Sequence, residues 1–327
     1  MTKRRKDTDY LFLSARIRAM ERQLLTSQRL EQLLQAPTAE DCARLLSEWG
    51  YAPVQDEPSL QESLRRQRQD VFADVSRFMP EPELLDVFRL KYDYHNIKTL
   101  LKAPAEAERL LIDAGTIPAE DMRRWFAESG GWAFLPPDMA AAAQEAQRVL
   151  AETGSARSSD CILDRAYFAR LQGLADDSRL PYLRAYVRAM IDAANLRSLV
   201  RARRLGMDAG FLQQVLFPGG SVTPETIRAD AGGGAAALWR STAFAQAAEK
   251  GDEAARGGSL TAFEKACDDA VLRAAGEARR VPFGVEVALG YLAAKESEWT
   301  AVRTVLSGRM AGVSPDALRE RLREQYV

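Results

Sequence analysis

Apolar residues recur at intervals of three and four positions along most of the chain, the spacing of helices that bury one face. One such series comprises Leu60, Leu64, Val71, Val75 and Phe78. Ser59 and Glu62 have the spacing of a capping box, so we expect a long helix to follow Ser59. The alternation of apolar and polar residues that marks strands is almost absent. The pattern predicts an all-α protein.

Three further helix starts are marked by a hydroxyl residue that precedes acids. Thr38 comes shortly before two acidic residues, and Thr223 and Ser314 are each followed by a proline and then an acid. A hydroxyl at the N-cap, proline at the first helical position and acids in the first turn all stabilise a helix N-terminus. We therefore expect helices to begin directly after Thr38, Thr223 and Ser314.

A short motif occurs twice in the chain, 99 residues apart. Residues 92–98 read YDYHNIK and residues 191–197 read IDAANLR, so that Asp93 aligns with Asp192 and Asn96 with Asn195. The alignment continues through two basic positions, with Lys98 and Lys102 matching Arg197 and Arg201. An acid, an amide, an aliphatic residue and two bases at fixed spacing indicate an internal repeat.

A third, weaker copy follows after a further shift of 106 residues. It keeps Glu298 and Arg303, but Ala301 and Ser307 replace the amide and the second base. Each copy is followed by a helix start that a glycine precedes, at Gly115, Gly220 and Gly312. The sequence therefore predicts three similar helical units at residues 1–112, 113–216 and 217–327, which carry the motifs Asp93–Lys102, Asp192–Arg201 and Glu298–Ser307. The last unit also holds the C-terminal helix.

The motif helices share one stripe at spacings of three and four, which is apolar in the first two copies and apolar except for Lys295 in the third. The stripe consists of Val87, Leu90, Tyr94, Ile97 and Leu101 in copy one, Tyr186, Ala189, Ala193, Leu196 and Val200 in copy two, and Leu292, Lys295, Trp299, Val302 and Leu306 in copy three. We expect this face to be buried in all three copies.

The polar motif residues are predicted to attach the motif helices to neighbouring groups. The acid and the amide lie three positions apart at the margin of the stripe, so they share a face and can reach polar groups on an adjoining helix. The two bases four positions apart are expected to form a positive edge. The candidate residues are Asp93, Asn96, Lys98, Lys102, Asp192, Asn195, Arg197, Arg201, Glu298 and Arg303. They fasten either the protein's own helices or a partner, and the sequence leaves both open.

The helix after Gly312 has no motif behind it, whereas the first motif has no helix of this kind before it. Our hypothesis is that the final helix fills that place, so that three units close into a pseudo-threefold ring or funnel. The N- and C-terminal segments would then meet.

Charge and cysteine content narrow the class of protein. The 327 residues carry 45 Lys plus Arg and 46 Asp plus Glu, so no global field favours nucleic acid, and partners must be recognised locally. Three cysteines without a CxxC pair are typical of a reducing compartment and are expected to be buried. No secretory signal or membrane-spanning stretch is present, which predicts a cytosolic location.

Catalytic interpretations have little support. His95 is the only histidine, which leaves His-based metal sites and nucleophile systems with at most one residue. The acid pairs Asp176-Asp177 and Asp268-Asp269 leave a magnesium-dependent helical enzyme open as an alternative, beside an unrelated helical-repeat scaffold. No phosphate-binding glycine motif is present. We expect no catalytic residue, no cofactor and no metal.

The motif at 92–102 and its copy at 192–201 closely resemble the C subunit of the bacterial and archaeal V/A-type rotary ATPases, whose eukaryotic counterpart is the d subunit of the V-ATPase. The stretches Ser14–Leu25 and Leu216–Val222, together with residues 290–327, support this resemblance. It implies an all-helical, funnel-shaped protein of three units that catalyses nothing itself.

The resemblance also implies partners. The protein would sit on the proteolipid rotor ring, peripherally attached to the inner face of the membrane, and would receive the foot of the central shaft. It would thus be an adapter that transmits torque between ATP hydrolysis or synthesis in the head and transport of H⁺ or Na⁺ in the membrane. Ala301 and Ser307 depart from the motif, so the third unit must lack this attachment or replace it.

Overall fold

The computed structural model describes residues 6–129, 131–230 and 233–326, and its regular structure there is helical throughout, as the sequence predicts. The α-helices are α1 (Leu11–Glu21), α2 (Ser27–Gln35), α3 (Ala39–Glu48), α4 (Glu57–Phe78), α5 (Asp86–Lys102), α6 (Ala107–Leu110), α7 (Ala119–Ser129), α8 (Pro137–Thr153), α9 (Ala156–Ser178), α10 (Pro181–Arg204), α11 (Ala209–Val215), α12 (Pro224–Ala229), α13 (Ala235–Trp239), α14 (Ala245–Ala255), α15 (Leu260–Gly276), α16 (Val285–Met310) and α17 (Pro315–Arg319). None of these helices is both long and apolar enough to cross a bilayer.

The predicted helix starts are confirmed at three positions and wrong at one. The hydroxyls of Thr38, Thr223 and Ser314 each accept a hydrogen bond from a backbone N–H in the first turn of the helix that follows. Helix α4 instead begins three residues before the predicted start. Its N-cap is Asp56, which forms a reciprocal capping box with Ser59, because an acid caps as well as a hydroxyl does.

Residues 81–180 form one compact unit around α5. Helix α5 packs against α9, and α8 and α9 lie side by side as a helical pair. The apolar stripe of α5 is buried as predicted from Val87 to Ile97, whereas Leu101 at its end is only half-buried.

Residues 6–80 and 181–326 form the other unit, which combines the two terminal segments. Helix α10 packs against α14 and α15, and α16 packs against α1, α3, α4 and α15. The stripes of α10 and α16 are buried along their whole predicted length. Both helices are also buried on other faces, because neighbouring helices surround them.

The N- and C-terminal segments are in contact, which is one consequence of the ring hypothesis. The Arg319 guanidinium bonds both carboxylate oxygens of Glu31, at 3.2 and 2.5 Å, and Arg309 donates to the carbonyl of Ala36 at 2.7 Å. The closed pseudo-threefold funnel and the unit boundaries at 112/113 and 216/217 stay predictions.

Candidate functional site

The first motif acid, Asp93, fastens α5 to the loop that precedes α7. Its carboxylate is fully buried and accepts the N–H groups of Thr116 and Ile117 at 3.0 and 3.2 Å, together with the Thr116 hydroxyl at 2.7 Å. Burial raises the pKa of Asp93, and the hydrogen bonds from Thr116 and Ile117 oppose that rise. The acid thus holds backbone that lies more than twenty residues downstream.

The motif amides also fasten loop backbone, and each bonds both the N–H and the carbonyl of one residue. Asn96 donates to the carbonyl of Ile112 at 2.9 Å and accepts its N–H at 2.8 Å. Asn195 makes the same two bonds to Phe217, at 2.8 Å each. These are the only two asparagines in the sequence. An amide side chain is suited to this position because it carries a donor and an acceptor side by side.

Glycines Gly115 and Gly220 allow the loops to approach the motif acids. A Cβ at Gly115 would lie 2.0 Å from the Oδ1 atom of Asp93, and a Cβ at Gly220 would lie 2.7 Å from the Oδ1 atom of Asp192. Neither distance is possible for a real Cβ. The glycine before each of these two helix starts is therefore explained by close packing on the carboxylate.

The third acid, Glu298, joins α16 to the N-terminal segment. Its carboxylate accepts the N–H of Leu25 at 2.8 Å, the hydroxyl of Tyr51 at 2.6 Å and the ammonium of Lys295. Both Lys295 and Glu298 are buried, and burial together with the charge of Glu298 holds the pKa of Tyr51 well above its usual value. Two signals for this contact were present in the chain, an acid one methylene longer than aspartate and a lysine within an apolar stripe.

The expected positive edge is wrong, because the motif bases face acids on the neighbouring helix. In copy one, Lys98 pairs with Asp164 at 2.6 Å and Lys102 with Asp160 at 2.9 Å, both on α9. These two cations are therefore paired with carboxylates of the same chain.

Copy two repeats this arrangement on α15. Arg197 pairs with Glu264 and Asp268 at 2.5 Å each, and Arg201 pairs with Glu264 at 2.7 Å. The four acids of the two copies are also a repeat, since residues 160 and 164 lie 104 positions before 264 and 268. In copy three Arg303 is exposed, and Ser307 donates to Glu57 on α4 at 2.8 Å.

The residues considered for catalysis are either held in contacts with other parts of the chain or exposed on helices. Asp268 binds Arg197 and Arg323, and Asp269 accepts the N–H of Glu324 at 2.7 Å. Asp176 and Asp177 are exposed near the end of α9, and His95 is exposed with its Nε2 atom 3.1 Å from the carbonyl oxygen of Leu110. Within the described ranges, His, Cys, Asp and Glu side chains form no group of three that would hold a metal ion.

The three cysteines are free thiols, and two of them are buried as expected. Cys42 and Cys267 are buried, whereas Cys161 is only half-buried. Burial raises the pKa of all three thiols, to about 12 for Cys267, so each is held in its unreactive protonated form.

Comparison with known proteins agrees with the resemblance. The family described as "ATP synthase (C/AC39) subunit" matches residues 13–321. The chain is 25% identical to the C subunit of the A-type ATP synthase of Methanocaldococcus jannaschii, over 96% of this chain and 86% of that protein. It is 24% identical to the C subunit of the V-type sodium ATPase of Enterococcus hirae, over 97% and 99%. It is 28% identical to the C subunit of the V-type ATP synthase of Thermus thermophilus, over 93% and 94%.

The family match extends over nearly the whole chain and includes all three motif helices. The resemblance carried by the repeated motif is therefore confirmed. This protein belongs to the ATP synthase C/AC39 subunit family, which includes the C subunits of A-type and V-type ATPases.

Proposed function

We propose that this chain is a non-catalytic adapter in the central stalk of a V/A-type rotary ATPase. It links the rotary shaft to the proteolipid ring and transmits the torque that couples ATP hydrolysis or synthesis to the transport of H⁺ or Na⁺. The transported ion is a property of the membrane ring. The adapter lies in the cytoplasm, attached to the inner face of the membrane through that ring.

The observation that best supports this role is that each motif helix is fastened at its buried acid. Asp93 and Asp192 hold the loop that follows their own helix, and Glu298 holds the N-terminal segment. A part that transmits torque must resist shear between its helices. Buried carboxylates that bind backbone N–H groups resist such shear better than apolar contacts, because hydrogen bonds are directional.

The three units at 1–112, 113–216 and 217–327 are proposed to surround a central socket for the shaft. One similarity between the three copies supports this proposal. The motif helices α5 and α10 each pair their bases with acids on the long helix that precedes the next motif helix, and α16 bonds α4, which precedes α5 in the sequence. These contacts join the first predicted unit to the second, the second to the third and the third to the first. A ring of three units requires this cyclic order.

Co-purification tests the proposed partners. The full chain is expressed with the shaft subunits and with the proteolipid ring in detergent, and each mixture is purified through a tag on this chain. We expect it to retain both partners and to show no ATPase activity alone. Failure to retain either partner, or ATP hydrolysis by the isolated chain, would refute the adapter role.

A further inference from the structure

A cavity of about 560 Å³ lies beside the second motif helix and is not explained by the fastening of that helix. Its apolar wall includes Tyr182, Ala185, Ala189, Ala243, Phe244 and Ala274. The volume of the cavity and its mainly apolar lining fit those of ligand pockets, which are mostly apolar with a few polar groups.

The motif acid Asp192 lines this cavity, and its two carboxylate oxygens differ in their hydrogen bonding. It is 1% exposed, and its Oδ1 atom accepts the N–H of Ser221 at 2.8 Å and the indole N–H of Trp239 at 3.3 Å. Its Oδ2 atom accepts no hydrogen bond within the ranges the structure describes. In copy one the hydroxyl of Thr116 donates to Asp93, but Ser221, its counterpart in copy two, donates only its backbone N–H to Asp192.

In copy three, a lysine of the chain itself contacts the motif acid. Lys295 occupies the place that Ala189 has in copy two, and it donates to Glu298, the counterpart of Asp192. Its ammonium lies 5.7 Å from the ring centres of both Tyr51 and Trp299. At the aligned positions, copy three therefore has a buried lysine that contacts its motif acid, whereas copy two has an alanine.

The charges around the opening favour a cation. Glu277 and Arg280 pair with each other at 2.6 Å, and the other charged groups that line the cavity are Asp192, Glu286 and Arg188. Three carboxylates against two guanidinium groups give the cavity a net charge of about −1, with the deepest charge negative.

We propose that this cavity is a docking pocket for a lysine side chain of a partner protein. The aliphatic stem packs on the alanines and on Phe244, and the ammonium donates to the Oδ2 atom of Asp192, as Lys295 donates to Glu298 within the chain. This inference does not depend on the adapter role, because the probe that tests it is a single amino acid.

Nuclear magnetic resonance of the full chain, labelled at alanine methyl groups, tests the pocket through Ala185, Ala243 and Ala274. The probes are Nα-acetyl-lysine methylamide and Nα-acetyl-norleucine methylamide, which has a similar aliphatic stem without the ammonium. We expect the lysine probe to shift these three signals and to bind at least about tenfold more tightly, as expected for a charged hydrogen bond. Equal binding of the two probes, or no shift up to the solubility limit of the lysine probe, would overturn the proposal.

Two variants locate the contact. Asp192→Asn should weaken binding of the lysine probe about tenfold without affecting the norleucine probe, whereas Asp93→Asn, the matched control in copy one, should change neither. Ala189→Lys should supply the missing ammonium from within the chain and prevent the lysine probe from binding. Undiminished binding of that probe to Ala189→Lys would overturn the proposal, even if Asp192→Asn does not fold.

Discussion

Replacing Asn195 with leucine removes the amide that bonds both backbone groups of Phe217 and keeps a side chain of similar size. Asn195 is fully buried and Phe217 is 6% exposed, so neither backbone group can turn to water after the loss. A buried group that loses its partner costs about 1–3 kcal/mol. Two such bonds of 2.8 Å predict that Asn195→Leu lowers the free energy of unfolding by about 3 kcal/mol.

Asn96→Leu is the matched variant, because Asn96 makes the same pair of bonds to Ile112. Ile112 is only half-buried, so water replaces part of the lost bonding, and we expect a loss of about 1–2 kcal/mol. Urea unfolding followed by circular dichroism measures both losses. The slope of the free energy of unfolding against urea concentration should be the same in the variants and in wild type. A loss below about 1 kcal/mol for Asn195→Leu would refute the reasoning, and so would a loss for Asn96→Leu that exceeds the loss for Asn195→Leu.

Three further predictions concern Gly115, Glu298 and Asp86. Gly115→Ala places a methyl group 2.0 Å from the Asp93 carboxylate and should lower the free energy of unfolding by about 1–3 kcal/mol, whereas Gly173→Ala, in open space on α9, should raise it by up to about 1 kcal/mol. Glu298→Gln strands the buried ammonium of Lys295 and should lower the free energy of unfolding by about 3–5 kcal/mol; adding Lys295→Met should recover part of this loss in a thermal or urea melt. Burial raises the pKa of Asp86 to about 6, so the folded state holds a proton that the unfolded state has already lost, and stability falls as pH rises from about 4 to about 6. Because Asp86 is partly exposed, we discount the effect: the free energy of unfolding of Asp86→Asn relative to that of wild type should rise by only about 1 kcal/mol from pH 4 to pH 7. A difference between variant and wild type that does not change with pH would contradict this.

Hydrophobic spacing was sufficient to predict the all-helical class and most of the buried stripe, since both depend on contacts within a few residues. The stripe on α16 was predicted even though it contains Lys295, because its other members are apolar. The start of α4 was missed because Asp56 and Ser59 cap equally well, and only the backbone decides between them.

The targets of the motif could not be predicted, because spacing reveals a shared face but not the group that approaches it. Asp93 and Asn96 were expected to reach an adjoining helix, and they bind loop backbone instead. The contact of Glu298 with Leu25 joins residues that are 273 positions apart, and no local pattern encodes it. The acids that pair with the motif bases had a signal, their own repeat at 104 residues.

Coupling in a reconstituted complex tests the adapter role most directly. Liposomes contain the complete rotary ATPase, or the same subunits without this chain, and both ATP hydrolysis and ion uptake are measured. With the chain present, we predict that hydrolysis drives ion uptake. Without it, the head should still hydrolyse ATP but uptake should be lost, whereas undiminished uptake in its absence would contradict the account.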